Sequence, residues 1–485
     1  MVAVRREAIG ALSSRPGPSH TLEEVITVRT KSILAGLAAM AFAGGSALAA
    51  LPPQPVTTCT IGGTITSAVT MVYEGATAPN PSMNASAANL YGPPMSDCGA
   101  GERTYRGNVD TNNDGIRDTC VTLFIGQQAG SCEGLTAMDH ASGAFPVCPD
   151  TPGATVAVQA STLGLVVNVS ASDVAATLCS PVIGGFVRPQ LFSGPTSTEN
   201  RLFAIPFGLI VNKNIRQLLP ASKVINPGVA CPAGPSDCPF VDLSLTKDKI
   251  KGIFGNNDEC DWRYMDPSIG TAGLGTPIIG AVMRNRLSGT RNNFNVTMLE
   301  TIGAGQGNVF VPGTADVRNR VKANIWCGND SAECGESGPV IGGQTSPCQA
   351  IPAPTNPISI GYVGTDNFAI VDPGTPANPF DDYGVRKTDS DNYDVLKYQG
   401  RQFNKSSVEC GEYEYWSFER WYFDSAVFTP GVKRNTVLQF VGQMQSDALS
   451  DPAVVALTQM QVSRANDGSP TFPTGPFNAA ICSAP

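Results

Sequence analysis

Histidine is nearly missing from this sequence: two among 485 residues, of which only His140 lies beyond Ala49. A Ser-His-Asp hydrolase would have to use it. Asp139-His140 sits near Gly and Ser with no nucleophile-elbow pattern, so it reads as a surface loop. Charge is sparse too, at 15%, and positive charge is in the minority, with 32 Lys+Arg against 41 Asp+Glu and a net charge of -9. A broad affinity for nucleic acid or anionic lipid is therefore excluded, and any anion site must be local. Carboxylates are plentiful, but none shows a spacing that marks an acid/base pair. No apolar run beyond residue 49 is long enough to span a bilayer. What is abundant is hydrophobic residues (42%), Gly (51) and Pro (38), enough for two or more packed lobes joined by long ordered loops.

Arg29 and Lys31 precede an apolar stretch from Ile33 to Ala43 and then Ala47-Leu48-Ala49, the pattern of a secretory signal cleaved after Ala49. A retained anchor is the competing reading. The preceding stretch carries Glu23 and Glu24, unusual for a signal start, so a start at Val28, from an alternative start codon, is expected. All 14 cysteines lie beyond Ala49. Their even number in an exported chain predicts disulfides formed in a periplasmic or extracellular space. Short local staples are expected at Cys231–Cys238 and Cys327–Cys334; zinc is disfavoured, because paired C-x-x-C knuckles are lacking.

Short buried strands alternate with helical patterns, which predicts an α/β fold. Strands are expected at Val121–Ile125, Leu163–Val169 and Phe203–Val211. Thr246-Lys247-Asp248 caps a helix with Ile250, Ile253 and Phe254 on one face, stopping at Gly255. Asn435-Thr436 opens a helix with Val437, Leu438, Val441 and Met444 inward, and Pro452 begins another with Val455, Leu457 and Met460. The Gly/Pro/Asn stretches Gly303–Pro312 and Asp372–Asp382 read as surface insertions. The aromatic run Tyr413–Phe423 is either a strand packed between lobes or a sugar-stacking platform.

Four loops share one design, in which a buried strand ends, small hydroxyl or amide residues follow, and a helix can begin. They are Gly75-Ala76-Thr77-Ala78-Pro79, Gln127-Gln128-Ala129-Gly130-Ser131, Ser170-Ala171-Ser172-Asp173 and the stretch from Arg284 to Arg291. A helix start presents unpaired N–H groups, Ser and Thr add donors, and Gly lets the backbone approach an anion. Taken singly, each is also an ordinary helix cap.

In order and context these loops resemble the phosphate-binding proteins of high-affinity phosphate ABC transporters, the PstS-like branch of the type II periplasmic binding fold. The most specific part is the strand Thr276–Met283 followed by Arg284 and Ser288-Gly289-Thr290 before Phe294. Supporting matches are Ser170–Asp173, Ala204–Asn212, Ile253-Phe254-Gly255 with Trp262 after it, and Ile360–Gly364. The resemblance implies a two-lobed fold with mixed sheets, hinge crossovers and disulfide-pinned loop insertions. Its first lobe would take residues 56–205 and 416–485, its second 206–415. It implies Thr77 and Ser131 as hydroxyl donors, Asp173 as acceptor, Arg284 as charge partner, and Ser288, Gly289 and Thr290 as the clamp. The ligand would be phosphate or a similar oxyanion, delivered to an ABC permease, with no bond broken. Two departures stand out: Arg286 occupies a position where that family usually has an acidic residue, and Ala76 replaces a usual serine. The competing reading is an exported surface or matrix protein that reuses the fold for adhesion or scaffolding.

One further motif, Asp110-Thr111-Asn112-Asn113-Asp114-Gly115-Ile116-Arg117-Asp118, matches the first half of a calcium loop and looks like thrombospondin type 3 repeats. Val121 stands where an EF-hand places its bidentate Glu, so a complete EF-hand is excluded. Structural calcium held by Asp110, Asn112, Asp114 and Asp118 stands against a metal-free Asx-rich turn.

Overall fold

The architecture comes from a computed structural model that describes residues 59, 67–99, 101–126, 130–192, 200–226, 240–255, 258–270, 276–301, 309–324, 348, 357–371, 383–387, 391–474 and 482. The signal segment, the start at Val28 and the staples Cys231–Cys238 and Cys327–Cys334 lie outside the described residues. So do Gln127, Gln128, Ala129, most of the Gly303–Pro312 stretch and all of Asp372–Asp382.

A 12-stranded mixed sheet organises the chain. Its strands are β1 (Ser67–Tyr73), β2 (Ser96–Asp97), β3 (Arg103–Val109), β4 (Thr119–Ile125), β5 (Val169–Ser172), β6 (Arg201–Asn212), β7 (Ile279–Arg284), β8 (Val309–Val311), β9 (Ile358–Gly364), β10 (Tyr393–Val395), β11 (Trp416–Phe423) and β12 (Val455–Ala456). The order is β8-β7-β9-β6-β11-β5-β1-β4-β3-β2, with β10 and β12 also on β6. The parallel strands β4, β7 and β9 are buried along their whole length, as expected where both faces are covered.

Two long strands join the halves. The first part of β6 pairs antiparallel with β11, Pro206 opposite Trp416, while from Phe207 onward it pairs with β9 and then β10. One half of the sheet is β7, β8, β9 and β10; the other is β1 to β5 with β11 and β12. The α/β class, the mixed sheet, the crossover strands and the disulfide pinning expected from the sequence are all present. Five disulfides hold the described residues: Cys59–Cys120, Cys98–Cys148, Cys132–Cys179, Cys260–Cys348 and Cys410–Cys482.

Several local expectations need correction. Leu163–Val169 is not a strand: Ala160–Leu163 forms a 3-10 turn ended by Gly164 at φ 69°, and the strand is Val169–Ser172. The Asn168 side chain takes the place of a strand there, accepting from Val72 N (2.7 Å) and donating to the Thr70 carbonyl (3.1 Å). Ser170-Ala171-Ser172 is thus strand rather than loop. Pro452 opens no helix; a turn leads into Val455–Ala456, because the free side of β6 offers pairing to β-branched residues. The helix expected at Asn435 starts earlier, at Val432 after Gly431, and Leu438 faces solvent while Val437, Val441 and Met444 are buried. Val309–Val311, expected in a surface insertion, is a strand on β7. Trp416–Phe423 of the aromatic run is β11, and every aromatic side chain of the run, Tyr413 and Tyr415 included, is buried, which removes the sugar-stacking reading. The Thr246 cap stands as expected: its hydroxyl accepts from Lys249 N, and Ile250, Ile253 and Phe254 are buried.

Candidate functional site

Each of the four loops does lead into a helix: α1 (Asn80–Tyr91), α2 (Ser131–Asp139), α3 (Ala176–Ile183) and α4 (Gly289–Phe294). Three of them meet at Asp173. This residue follows β5 and is 1% exposed. Its carboxylate accepts from the Ser131 hydroxyl, which opens α2, and from the Thr290 hydroxyl on α4 at 2.8 Å. Gly289 fits between them because any β-carbon there would collide with Asp173 Oδ1 and Ser131 Oγ. Ser288 caps α4 by accepting from Arg291 N at 3.3 Å. The contact joins the two halves of the sheet, and Cys132 N reinforces it by donating to the Leu287 carbonyl at 3.1 Å.

Arg284 closes the cluster from the end of β7. Its guanidinium is buried, donating through Nε to the Pro312 carbonyl (2.9 Å) and through Nη1 to the Thr314 hydroxyl (2.6 Å). Thr314 opens α5 (Thr314–Ala323). Burial pulls the guanidinium below its ordinary range, opposed by the charge of Asp173 and then by Tyr362, Glu133 and Asp316. Burial likewise pushes the Asp173 carboxyl up, opposed by its bonds to Ser131 and Thr290 and by Arg284. After Asp173, the carboxylates that act on Arg284 are Glu133 on α2 and Asp316 on α5. Arg286 itself is half-buried.

Thr77 is placed differently. Its loop is anchored beside the cluster, with Ala76 N donating to the Ala171 carbonyl at 3.0 Å, and Gly134 of α2 packs so close that a β-carbon there would run into Gly75 Cα and the Glu74 carbonyl. The Thr77 side chain is half-buried and, among the described residues, makes no hydrogen bond to Asp173, Ser131 or Thr290. Next to it Glu74 is buried, its carboxyl pushed up to about 8 by desolvation and by Glu133.

Sequence reasoning missed Glu74, Glu133, Thr314 and Asp316. The first two were visible as acids flanking loops already singled out; Thr314 and Asp316 come from a helix with no sequence link to the motif.

The loop from Asp110 to Asp118 is an Asx turn in the described structure. Asp110 accepts from the backbone of Asn112 (3.3 Å), Asp114 (3.2 Å) and Gly115 (2.7 Å), and Asp114 from Ile116 N (2.8 Å). Among the described residues no group of three or more His, Cys, Asp or Glu is placed to hold a metal ion. His140 is exposed, its Nδ1 lying 2.9 Å from the Thr136 carbonyl, while Asp139 accepts from Val187 N at 2.6 Å.

The chain is similar to three solved structures. A phosphate ABC transporter substrate-binding protein from Clostridium perfringens with bound phosphate has 14% identity and TM-score 0.37, covering 80% of this chain and 99% of that one. An ABC-type phosphate transport receptor from Vibrio cholerae has 11% identity and TM-score 0.38, covering 79% and 99%. PstS from Borrelia burgdorferi has 11% identity and TM-score 0.32, covering 80% and 98%. No protein-family model and no curated protein matches the sequence. Among the described residues no helix is long and apolar enough to cross a membrane.

Proposed function

We propose that this chain is an exported solute-binding protein that captures phosphate or a similar small oxyanion between the two halves of its sheet and hands it to an ABC permease. The observation that carries the reading is the convergence of Ser131, Asp173, Gly289 and Thr290, from three segments distant in sequence, beside the buried Arg284 guanidinium. A guanidinium gives planar, charge-assisted hydrogen bonds to anion oxygens. A carboxylate in the same site repels a fully ionised oxyanion and accepts from one that keeps a proton, which favours phosphate over sulfate. Thr77 contributes its hydroxyl if its loop turns inward on binding. Residues 1–49 are read as the signal and its upstream extension, the first lobe as 56–205 with 416–485, and the second as 206–415. Calcium at Asp110, Asn112, Asp114 and Asp118 is a subsidiary proposal, checked by the rise in melting temperature on adding calcium to chelator-treated protein.

The test is calorimetric titration of the mature chain with phosphate, sulfate and arsenate, repeated for Arg284→Ala and Asp173→Asn. Loss of phosphate affinity in the first and loss of phosphate-over-sulfate preference in the second are expected. Unchanged affinities in both defeat the site.

A further inference from the structure

β11 carries two buried polar side chains that the site described above leaves unused. Ser417 and Glu419 are both 0% exposed, and among the described residues neither Ser417 Oγ nor either carboxylate oxygen of Glu419 has a hydrogen-bond partner. An orphaned buried hydroxyl costs free energy, and an orphaned buried carboxyl costs more, so their burial calls for a partner beyond the described residues, which a bound ligand would supply.

The register says where they point. Ser172 at the end of β5 pairs with Arg420, so Asp173, one residue further along, emerges beside Glu419. Ser417 and Glu419 pair in succession with Ile205 and Phe203, separated by Phe418, which places both on one face of the strand. The Asp173 charge acts on Glu419 and also on Tyr415, which flank Ser417 along the chain. Arg284 acts on Tyr415 as well, the smallest of the charges that do.

We propose that Ser417 and Glu419 are two further ligand-binding residues of the oxyanion site, the hydroxyl and the carboxylic acid each donating a hydrogen bond to an oxygen of the bound anion. This rests on the oxyanion reading above and deepens it: the site then prefers a tetrahedral anion with at least two unprotonated oxygens facing β11 and one protonated oxygen facing Asp173. The groups that face Glu419 are Asp173 after β5, Tyr73 on β1, and Arg420 and Tyr422 on its own strand; on the β6 side Phe203 is apolar. Burial first, and then Asp173, hold the Glu419 carboxyl well above the usual carboxylate range, which favours the protonated form that can donate.

The test is calorimetric titration of the mature chain and of Ser417→Ala, Glu419→Leu and Glu419→Gln with inorganic phosphate and with sulfate at pH 6 to 9, together with unfolding of the ligand-free proteins. Phosphate binding weakens about 5-fold in Ser417→Ala and about 20-fold in Glu419→Leu, while Glu419→Gln, which keeps a donor, loses no more than about 3-fold. Ligand-free Glu419→Leu melts at or above the wild-type temperature, since it removes an orphaned acid. Wild-type affinity in Ser417→Ala and Glu419→Leu overturns the proposal; should Glu419→Leu fail to fold, Ser417→Ala decides. If the wild-type chain binds neither anion, the oxyanion reading itself falls and takes this with it. Binding that persists unchanged in the variants defeats only the role of β11. In the ligand-free proteins the stability of the wild type falls as pH rises and that of Glu419→Gln falls less; equal slopes overturn the neutral acid.

Discussion

Two buried arginines of this chain, Arg420 and Arg284, are handled in opposite ways. Arg420 on β11 is bonded to the buried carboxylate of Asp467 at 2.9 Å, and that neighbour also accepts from Ala175 N at 2.7 Å. Arg284 has no carboxylate within ion-pair distance among the described residues; it bonds to a carbonyl and a hydroxyl, with Asp173, Glu133 and Asp316 acting from further off. Pairing holds the Arg420 guanidinium above its ordinary range despite burial, whereas burial wins at Arg284. A buried cation satisfied within the chain fastens structure. One held by neutral acceptors keeps electrostatic attraction for something else.

Mutations sharpen this contrast. Breaking the closed pair with Arg420→Ala leaves the buried Asp467 carboxylate without its bonded cation, and should lower the unfolding free energy by about 3–5 kcal/mol in a denaturant titration. Arg284→Met should do the reverse, leaving the ligand-free melting temperature unchanged or higher while weakening phosphate binding about 100-fold by calorimetry. Equal destabilisation by both substitutions would break the comparison. Asp173→Asn should weaken phosphate about 10-fold and improve sulfate, read as the ratio of the two affinities.

The smallest expected effect is the pH dependence at Glu74. Its carboxyl is neutral below about 8 and charged above, so phosphate affinity should fall several-fold as pH rises through 8, and Glu74→Gln should flatten the profile. The same shift acts on folding. A carboxyl raised in the folded state favours that state fully below its unfolded value near 4.5, and the contribution is lost as pH climbs towards 8.

The site was legible in proportion to how local its parts are. Ser288, Gly289 and Thr290 follow Arg284 within a few residues, so hydroxyl, glycine and guanidinium could be read as one motif. Asp173 and Ser131 were legible as loop residues, but their direct bond was not, because it depends on β1, β4 and β5 lying side by side. Thr314 and Asp316 reach Arg284 only because β8 pairs with β7 and leads into α5. Glu419 looked like one polar residue in an aromatic strand; its orphaned burial exists only once β5 and β6 close around it. The strand predicted at Leu163–Val169 failed for a related reason: the Asn168 side chain mimics a strand neighbour, and apolar periodicity cannot register that.

The path of the backbone also sets an order of assembly. The half-sheet of β7 to β10 is drawn from one continuous stretch, so it can form as soon as that stretch is delivered. The other half needs β11 and β12, and its Cys410–Cys482 link, from residues that follow the whole of that stretch. During synthesis its first strands must wait for β11, with the side of β5 that pairs with it open until then, and that interval is when the nascent chain is most exposed to aggregation.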